Sequence, residues 1–144
     1  MANPSLSFDP SQVIVAFAGS VLHGFADGPF IKASRHEDAF MLQVGADGEA
    51  ARVRNKNKSG TCALTLQQTS VSNDVLSALA AADEAGGVGT GALLIKDLNG
   101  STLLSAPVAW IKKVADVEFG KELGTREWTF ETGEFVMFVG GNAQ

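Results

Sequence analysis

The sequence predicts a mainly β domain, an antiparallel β-sandwich or barrel of about eight strands with one flanking α-helix at about residues 73–85. The chain contains sixteen glycines, and many of them lie at the ends of apolar segments. This distribution is typical of a protein with many turns. Polar and apolar residues alternate over 61–67, as in a strand with one buried face. One segment has apolar residues at helical spacing. The length of 144 residues fits a single domain, 1–144, with one core.

Short apolar runs bounded by Gly, Pro, Asp or Asn predict the strands. They lie at 12–18, 21–25, 30–35, 39–44, 61–67, 92–97, 101–105, 108–114, 125–131 and 135–139. The Asn99-Gly100 pair between two apolar runs predicts a hairpin. The runs on either side of Pro107 continue each other across an edge or a bulge. From these candidate runs we expect about eight strands in the domain.

The helix is predicted from its start and stop signals as well as from its period. Ser72-Asn73-Asp74 supplies capping side chains and a negative charge at the start. An apolar stripe that includes Leu76 and Leu79 follows, and Gly86-Gly87 ends the helix.

Residues 45–60 read as a long polar loop, and residues 1–10 read as an N-terminal extension. A loop of this length inside a domain is uncommon and tends to be functional or disordered. Its basic residues, Arg52, Arg54, Lys56 and Lys58, occupy alternate positions and would all project to one side of an extended chain. In an acidic chain, the simplest partner for them is an acidic face of another copy. A merely solvated loop remains the alternative.

The polar side of the 61–67 strand indicates a wet surface. Together with the polar side of 125–131, it predicts five candidate lumen-facing residues for a subunit that lines a water-filled channel. They are Thr61, Thr65, Gln67, Glu127 and Glu131. Any solvent-facing sheet would look similar, so the pattern indicates a channel without requiring one.

Composition argues against chemistry, and we predict no catalytic, cofactor-binding or metal-binding residues. The single cysteine, Cys62, allows neither an intrachain disulfide nor a cysteine metal site, and His23 and His36 do not make a typical zinc site. The glycine run at 86–91 follows a helix, whereas a phosphate-binding loop opens one. A glutamate cluster in the last third is the only support for a small hydrolase.

The net charge of −5 indicates a surface that repels nucleic acid. No apolar stretch approaches the roughly 20 residues that span a bilayer, and no secretory signal is recognised. We therefore expect a soluble protein made in the cytoplasm, with no membrane partner.

An ordered set of short motifs runs through nearly the whole chain. They are Ser7-Phe8-Asp9-Pro10, Gly24-Phe25-Ala26-Asp27-Gly28, Glu37-Asp38, Val44-Gly45-Ala46-Asp47-Gly48-Glu49, Ser59-Gly60-Thr61, Leu64-Thr65-Leu66-Gln67-Gln68-Thr69-Ser70, Ser72-Asn73-Asp74-Val75-Leu76-Ser77, Lys96-Asp97-Leu98, Ala109-Trp110-Ile111-Lys112-Lys113, Glu118-Phe119-Gly120-Lys121-Glu122 and Arg126-Glu127-Trp128. As a set they resemble a family of bacteriophage tail-tube structural proteins of contractile-tailed phages (myoviruses).

The resemblance implies a β-barrel or β-sandwich subunit with one flanking helix and no catalytic residues. It implies hexameric rings that stack helically into a tube inside a contractile sheath. The implied partners are further copies of the chain, the sheath protein, and the baseplate and tail-terminator proteins, while phage DNA passes through without specific binding. The implied location is the virion tail, assembled in the cytoplasm of the host bacterium. By position, 45–60 matches the family's long loop between rings.

Two other functions stay open on the sequence. One is another ring-forming tail component, such as a baseplate or tail-completion protein. The other is a carbohydrate-binding β-sandwich, which would display exposed aromatic residues, whereas Trp110 and Trp128 fall in strands that read as buried.

Overall fold

The computed structural model describes residues 7–142, which form ten strands and one α-helix. The strands are β1 (Val13–Phe17), β2 (Ser20–Val21), β3 (Ile31–Arg35), β4 (Phe40–Val44), β5 (Ala50–Arg54), β6 (Gly60–Gln67), β7 (Gly91–Asp97), β8 (Leu103–Lys113), β9 (Thr125–Thr132) and β10 (Val136–Phe138). The helix is α1 (Ser72–Gly86), and a short 3-10 turn, Pro10–Gln12, precedes β1. Of the predicted N-terminal extension, residues 1–6 lie outside the described part of the chain.

Eight strands form one antiparallel sheet in the order β2-β1-β7-β8-β9-β6-β3, and β10 pairs with β8 beside this path. The sheet curls so far that Val13 of β1 and Ile31 of β3 line the same cavity, although these strands lie near opposite edges of the sheet. Within residues 7–142 the two edges do not pair, so the sheet is curled and not a closed barrel. The predicted mainly β class with one helix is confirmed, with ten strands in place of about eight.

The core lies inside the curl and is supplied mainly by the inner faces of the strands of the large sheet. In β6 the residues alternate between buried and half-buried along the whole strand, as the sequence pattern predicts. Phe17 and Phe130 meet edge to face with their ring centres 4.9 Å apart. Leu76 and Ala80 on one side of α1 pack against this core. The helix therefore covers one flank of the curled sheet.

The helix agrees with the prediction to within one residue at each end, but its start is built differently. Val71 occupies the N-cap position and makes no side-chain capping hydrogen bond. The hydroxyl of Ser72 instead accepts a hydrogen bond from the backbone N–H of His23 at 2.8 Å. The prediction that Ser72 caps the helix is therefore wrong, because its hydroxyl makes a tertiary contact. At the other end Gly87 adopts the left-handed conformation, with φ 68°, and ends the helix as predicted.

The prediction of an irregular loop over 45–60 is wrong for its middle part. Residues Ala50–Arg54 form β5 and pair antiparallel with β4, in register from Phe40↔Arg54 to Val44↔Ala50. Only the turn at 45–49 and the segment 55–59 lack strand structure. The sequence of β5 consists mainly of basic and small residues and lacks the apolar alternation typical of a strand. It forms a strand because pairing with β4 supplies its backbone hydrogen bonds.

Candidate assembly surfaces

The hairpin formed by β4, the turn at 45–49 and β5 projects from the body of the molecule, and we call it the arm. Its two strands form a separate sheet, and every residue in both strands is exposed. Leu42 exposes 74% of its surface, and Phe40, Met41, Val44 and Val53 are exposed as well. Apolar side chains that are concentrated and exposed on one element mark a site of interaction. The arm therefore has the properties of a docking element.

The two faces of the arm differ in chemistry. The cross-strand register places basic residues of β5 directly opposite apolar residues of β4, with Leu42 opposite Arg52 and Phe40 opposite Arg54. Because directly opposed residues share a face, one face, which we call the apolar-basic face, carries both kinds of side chain. It consists of Phe40, Leu42, Val44, Ala50, Arg52 and Arg54. The other face carries Met41, Gln43, Ala51 and Val53.

A network of hydrogen bonds holds the base of the arm to the body. The backbone N–H of Asn55 donates to the carbonyl oxygen of Ala39 at 2.8 Å, which closes the hairpin. The side chains of Asn55 and Asn57 both donate to the carboxylate of Glu37, at 3.1 and 2.7 Å, and these hydrogen bonds lower the pKa of Glu37. Arg35 Nε donates to the carbonyl oxygen of Phe135 at 3.0 Å. The base is therefore ordered although the arm itself is solvated.

The four predicted basic residues lie around two neighbouring concavities at this base. Arg52, Arg54 and Lys58 line one of about 430 Å³, together with Arg35 and other residues. Arg54, Lys56 and Lys58 line the second beside Glu134. Strand alternation places Arg52 and Arg54 on one side as predicted, but it ends with β5 at Arg54. The structure thus brings the four together by folding of the segment 55–59 as well as by strand alternation.

The five predicted lumen-facing residues lie together on one face of the sheet, which we call the polar face. The β6–β9 register pairs Thr61 with Glu131 and Thr65 with Glu127, while Gln67 lies opposite Thr125. The intervening residues, such as Leu64 and Trp128, point to the core on the other side. The polar face is thus continuous across both strands.

Glu131 is the most constrained charge on the polar face. His36 Nε2 hydrogen-bonds to its carboxylate, and Lys112 Nζ lies 3.3 Å from the other carboxylate oxygen. Partial burial acts to raise the pKa of Glu131, but the hydrogen bonds from His36 and Lys112 outweigh it and hold that pKa below its usual value. Because His36 comes directly after β3, this contact also links the base of the arm to the polar face.

The remaining residues that the sequence analysis considered for chemistry or sugar binding lie in separate places. Among residues 7–142, no group of His, Cys, Asp and Glu has the arrangement of a metal site. Cys62 is buried in the core, and this burial raises the pKa of its thiol to about 12. Trp128 is buried and Trp110 is half-buried. Within the same residues, no helix has the length and hydrophobicity needed to cross a membrane.

Sequence reasoning placed Phe40–Val44 in a strand but assigned that strand no role. A signal was present: its apolar residues do not alternate with polar ones, and the following segment offers no apolar face to cover them. A hairpin that pairs an apolar strand with a basic one cannot be buried in the core of its own domain. That combination in the sequence could have identified the apolar residues of the arm as exposed.

Comparison with known proteins places the chain in a family. The family model described as "Bacteriophage PhiTE tail tube protein" matches residues 9–140. A curated protein, "Structural protein ORF10" of Pseudomonas phage KPP10, is 31% identical over 150 residues, which cover 99% of this chain and 87% of that protein.

Solved structures share the fold at low identity. A tube-terminating cap of the anti-feeding prophage superposes with a TM-score of 0.64 at 10% identity, covering 94% of this chain and 93% of that one. The sheath/tube terminator of PVC, an extracellular contractile injection system, gives 0.63 at 12% identity, with coverage of 94% and 99%. A chain of the PVC sheath–tube complex gives 0.58 at 12% identity, covering 92% of each chain.

The matched family is a structural one and not a family of enzymes, in agreement with the sequence prediction. The match spans nearly the whole chain, as does the curated relative. The chain therefore belongs to the PhiTE family of bacteriophage tail tube proteins.

Proposed function

We propose that the chain assembles as stacked hexameric rings into the tail tube of a contractile-tailed phage, and that this tube is a non-adhesive channel for genome ejection. The observation that carries the proposal is the arm, a two-stranded sheet that projects alone and exposes its apolar side chains. An isolated hairpin is at best marginally stable in water. The arm therefore needs a neighbour, and a repeating assembly gives every subunit the same one.

The arm supports stacking of rings through charge as well as through apolar contact. Arg52, Arg54, Lys56 and Lys58 concentrate positive charge at one end of a chain whose net charge is −5. An acidic surface of the next copy is the simplest complement to them. We propose that the arm and these four residues stabilise the contact between successive rings.

The polar face supports the channel. Its half-buried hydroxyl and amide groups offer no apolar patch, and Glu127 and Glu131 add negative charge. Acidic side chains repel the phosphates of DNA, so the genome would slide past them without being held. We propose that Thr61, Thr65, Gln67, Glu127 and Glu131 line the lumen.

The same proposal specifies the protein partners of the subunit and its location. The PVC relatives come from a sheath–tube complex and from a sheath/tube terminator, which makes a sheath and a tail terminator the expected neighbours of a tube subunit. A baseplate would begin the tube at its other end. The subunit would be made and assembled in the host cytoplasm and would end in the virion tail.

A second candidate function is a terminator or other tail component that makes a single ring. The observation that favours it is that the two terminator structures superpose with higher TM-scores than the sheath–tube chain. A difference this small at 10–12% identity concerns the fold alone, whereas the family match names a tube protein. The tube therefore remains the first proposal.

Negative-stain electron microscopy of the concentrated protein, together with its mass in solution, separates these functions. Long hollow tubes with hexameric symmetry are expected. Particles that stop at one ring of fixed mass would support the terminator-like function instead. Monomers that persist at high concentration, both alone and with isolated baseplates as nuclei, would contradict both functions.

A further inference from the structure

A second apolar surface lies at the other end of β3 from the arm, in a cavity of about 480 Å³ that is lined from both sides of the curled sheet. Its apolar lining comes from the N-terminal segment, the loop before β3, and strands β1, β3, β7 and β8. The apolar side chains are those of Phe8, Val13, Phe30, Ile31, Ile95 and Leu104. The volume falls in the range of about 300–1,000 Å³ that is typical of binding pockets. We call this the end cavity.

The end cavity also carries negative charge. Asp27 lies in its wall on an exposed loop. Asp97 also lines the cavity, but it is buried, and its carboxylate oxygens accept hydrogen bonds from the side chain of Asn142 at 2.6 Å and from the backbone N–H of Asn99 at 3.0 Å. Asp27 is therefore the carboxylate that the cavity exposes at its margin. The end cavity is thus apolar with an acidic margin.

The apolar-basic face of the arm has the complementary chemistry. On this face β4 presents Phe40 and Leu42, and β5 presents Arg54 and Arg52 directly opposite them. Burying an exposed leucine or phenylalanine stabilises a contact, and opposite charges at the margin determine which partner is accepted. No other surface described above combines an apolar concavity with acidic residues.

The positions of arm and cavity favour contact between two copies. Strand β3 begins at the end cavity with Ile31 and ends at the base of the arm with Arg35. The two surfaces therefore lie at opposite ends of one strand. A contact between different surfaces of identical subunits is head-to-tail, and such contacts build open helical filaments or stacked rings.

We propose that the end cavity receives the apolar-basic face of the arm of a second copy of this chain, with Leu42 entering the apolar interior and Arg52 and Arg54 facing Asp27 at its margin. This inference rests on the proposed function, since it specifies which surfaces meet when rings stack. The inference assigns the end cavity as the surface that receives the arm, in addition to the arm itself.

Thiol crosslinking between two differently marked subunits tests the contact. One batch carries Leu42→Cys on the apolar-basic face, and the other carries Gly28→Cys at the end cavity. Leu42 is exposed, and an added Cβ at Gly28 meets nothing within 4 Å, so neither change disturbs the fold. The native Cys62 does not react, because it is buried and its thiol pKa is raised to about 12. A short bis-maleimide is used, since a disulfide demands a narrower geometry.

Co-assembled tubes of the two batches should give a crosslinked dimer that contains one chain of each kind. Replacing Leu42→Cys by Gln43→Cys, on the opposite face of the arm, is the matched control and should give about tenfold less product. Tubes that form normally but crosslink equally with both positions, or with neither, would overturn the inference and leave the proposed function standing. Failure of the unmodified chain to assemble at all would overturn the proposed function, and the inference with it.

Discussion

The guanidinium carbon of Arg52 lies 4.2 Å from the centre of the Phe40 ring, so a cation covers an aromatic side chain on the exposed face of the arm. The two residues are diagonal neighbours, because Arg52 pairs with Leu42 and Phe40 pairs with Arg54. At an exposed site such a contact contributes about 0.5–1 kcal/mol. A partner that covers this face must therefore satisfy apolar and charged groups at the same place.

Reversing the four basic charges should abolish tubes without unfolding the subunit. The variant is Arg52→Glu, Arg54→Glu, Lys56→Glu and Lys58→Glu. All four residues are exposed, so the free energy of unfolding should change by no more than about 1 kcal/mol, close to what scattered surface changes produce. Assembly should fail because the variant opposes acidic groups to an acidic neighbour. Electron microscopy and denaturant unfolding measure the two effects.

The matched control keeps the charges and changes only the side chains. In it each Arg becomes Lys and each Lys becomes Arg at the same four positions. Tubes should still form, although less stably where Arg52 loses its planar stack on Phe40. Normal tubes from the charge-reversed variant would refute the role of these residues in stacking.

Positive charge on the polar face should make the channel retain DNA. Thr65→Lys and Glu127→Lys change two cross-strand neighbours without touching the contacts of Glu131. Tubes of this variant should hold short duplexes that resist nuclease, and should release them as salt rises from about 50 to 200 mM. Co-sedimentation after nuclease treatment is the measurement.

A charge-matched variant on the helix provides the comparison for this experiment. Ser77→Lys and Glu84→Lys change the net charge by the same amount at exposed positions of α1. DNA bound there would lie outside the lumen and would be digested. Equal nuclease protection by both variants, or protection by the helix variant alone, would show that the polar face does not line the channel.

Glu131→Gln should destabilise the folded subunit near neutral pH by about 1 kcal/mol, because it weakens the contacts with His36 and Lys112. The pKa of Glu131 is lowered from 4.5, so the folded state favours the carboxylate. Its contribution is complete above pH 4.5 and is lost as the pH falls through the lower folded pKa. Urea unfolding at pH 7 and pH 3 should show a difference between variant and wild type that shrinks in acid; a constant difference would refute the assignment.

Trp128→Phe should destabilise the subunit by about 2–3 kcal/mol. The indole Nε1 donates a hydrogen bond to Asn73 Oδ1 at 2.9 Å, which links β9 to the first turn of α1. The substitution leaves a small cavity and removes the donor from a partly buried acceptor. Trp110→Phe, at a half-buried position, is the control and should cost less than about 1 kcal/mol. Equal losses in chemical unfolding would contradict this link.

The parts of the fold that the sequence predicted are those with local signals. Alternation along Thr61–Gln67 gave β6 with its buried and polar sides, and the same pattern gave β9. Directly opposed residues of paired strands lie on the same face of a sheet. Once β6 and β9 are neighbours, alternation along each strand therefore puts Thr65 and Glu127 on the same face. The glycines at 86–87 also predicted the end of α1 from a local signal, because glycine adopts the left-handed conformation of Gly87 without steric strain.

The parts that the sequence missed depend on tertiary pairing. The pattern in Ala50–Arg54 is not that of a strand, and β5 exists because β4 offers it a hydrogen-bonding partner. The curl that brings Val13 and Ile31 to one cavity is a property of the whole sheet, so no local pattern predicts the end cavity. Ser72 reads as a helix cap, but a contact with His23, which is 49 residues away in sequence, takes its hydroxyl.

Removal of the arm tests the central claim most directly. The hydrogen bond between Asn55 N–H and the carbonyl oxygen of Ala39 closes the hairpin at its base, so residues 40–54 can be replaced by an Asn-Gly turn. Electron micrographs and sedimentation of this chain and of the wild type should be recorded at the same concentration. We expect tubes from the wild type and folded, unassembled subunits from the shortened chain, with the same circular dichroism from the main sheet and helix. Tubes of normal length and diameter from the shortened chain would contradict assembly through the arm.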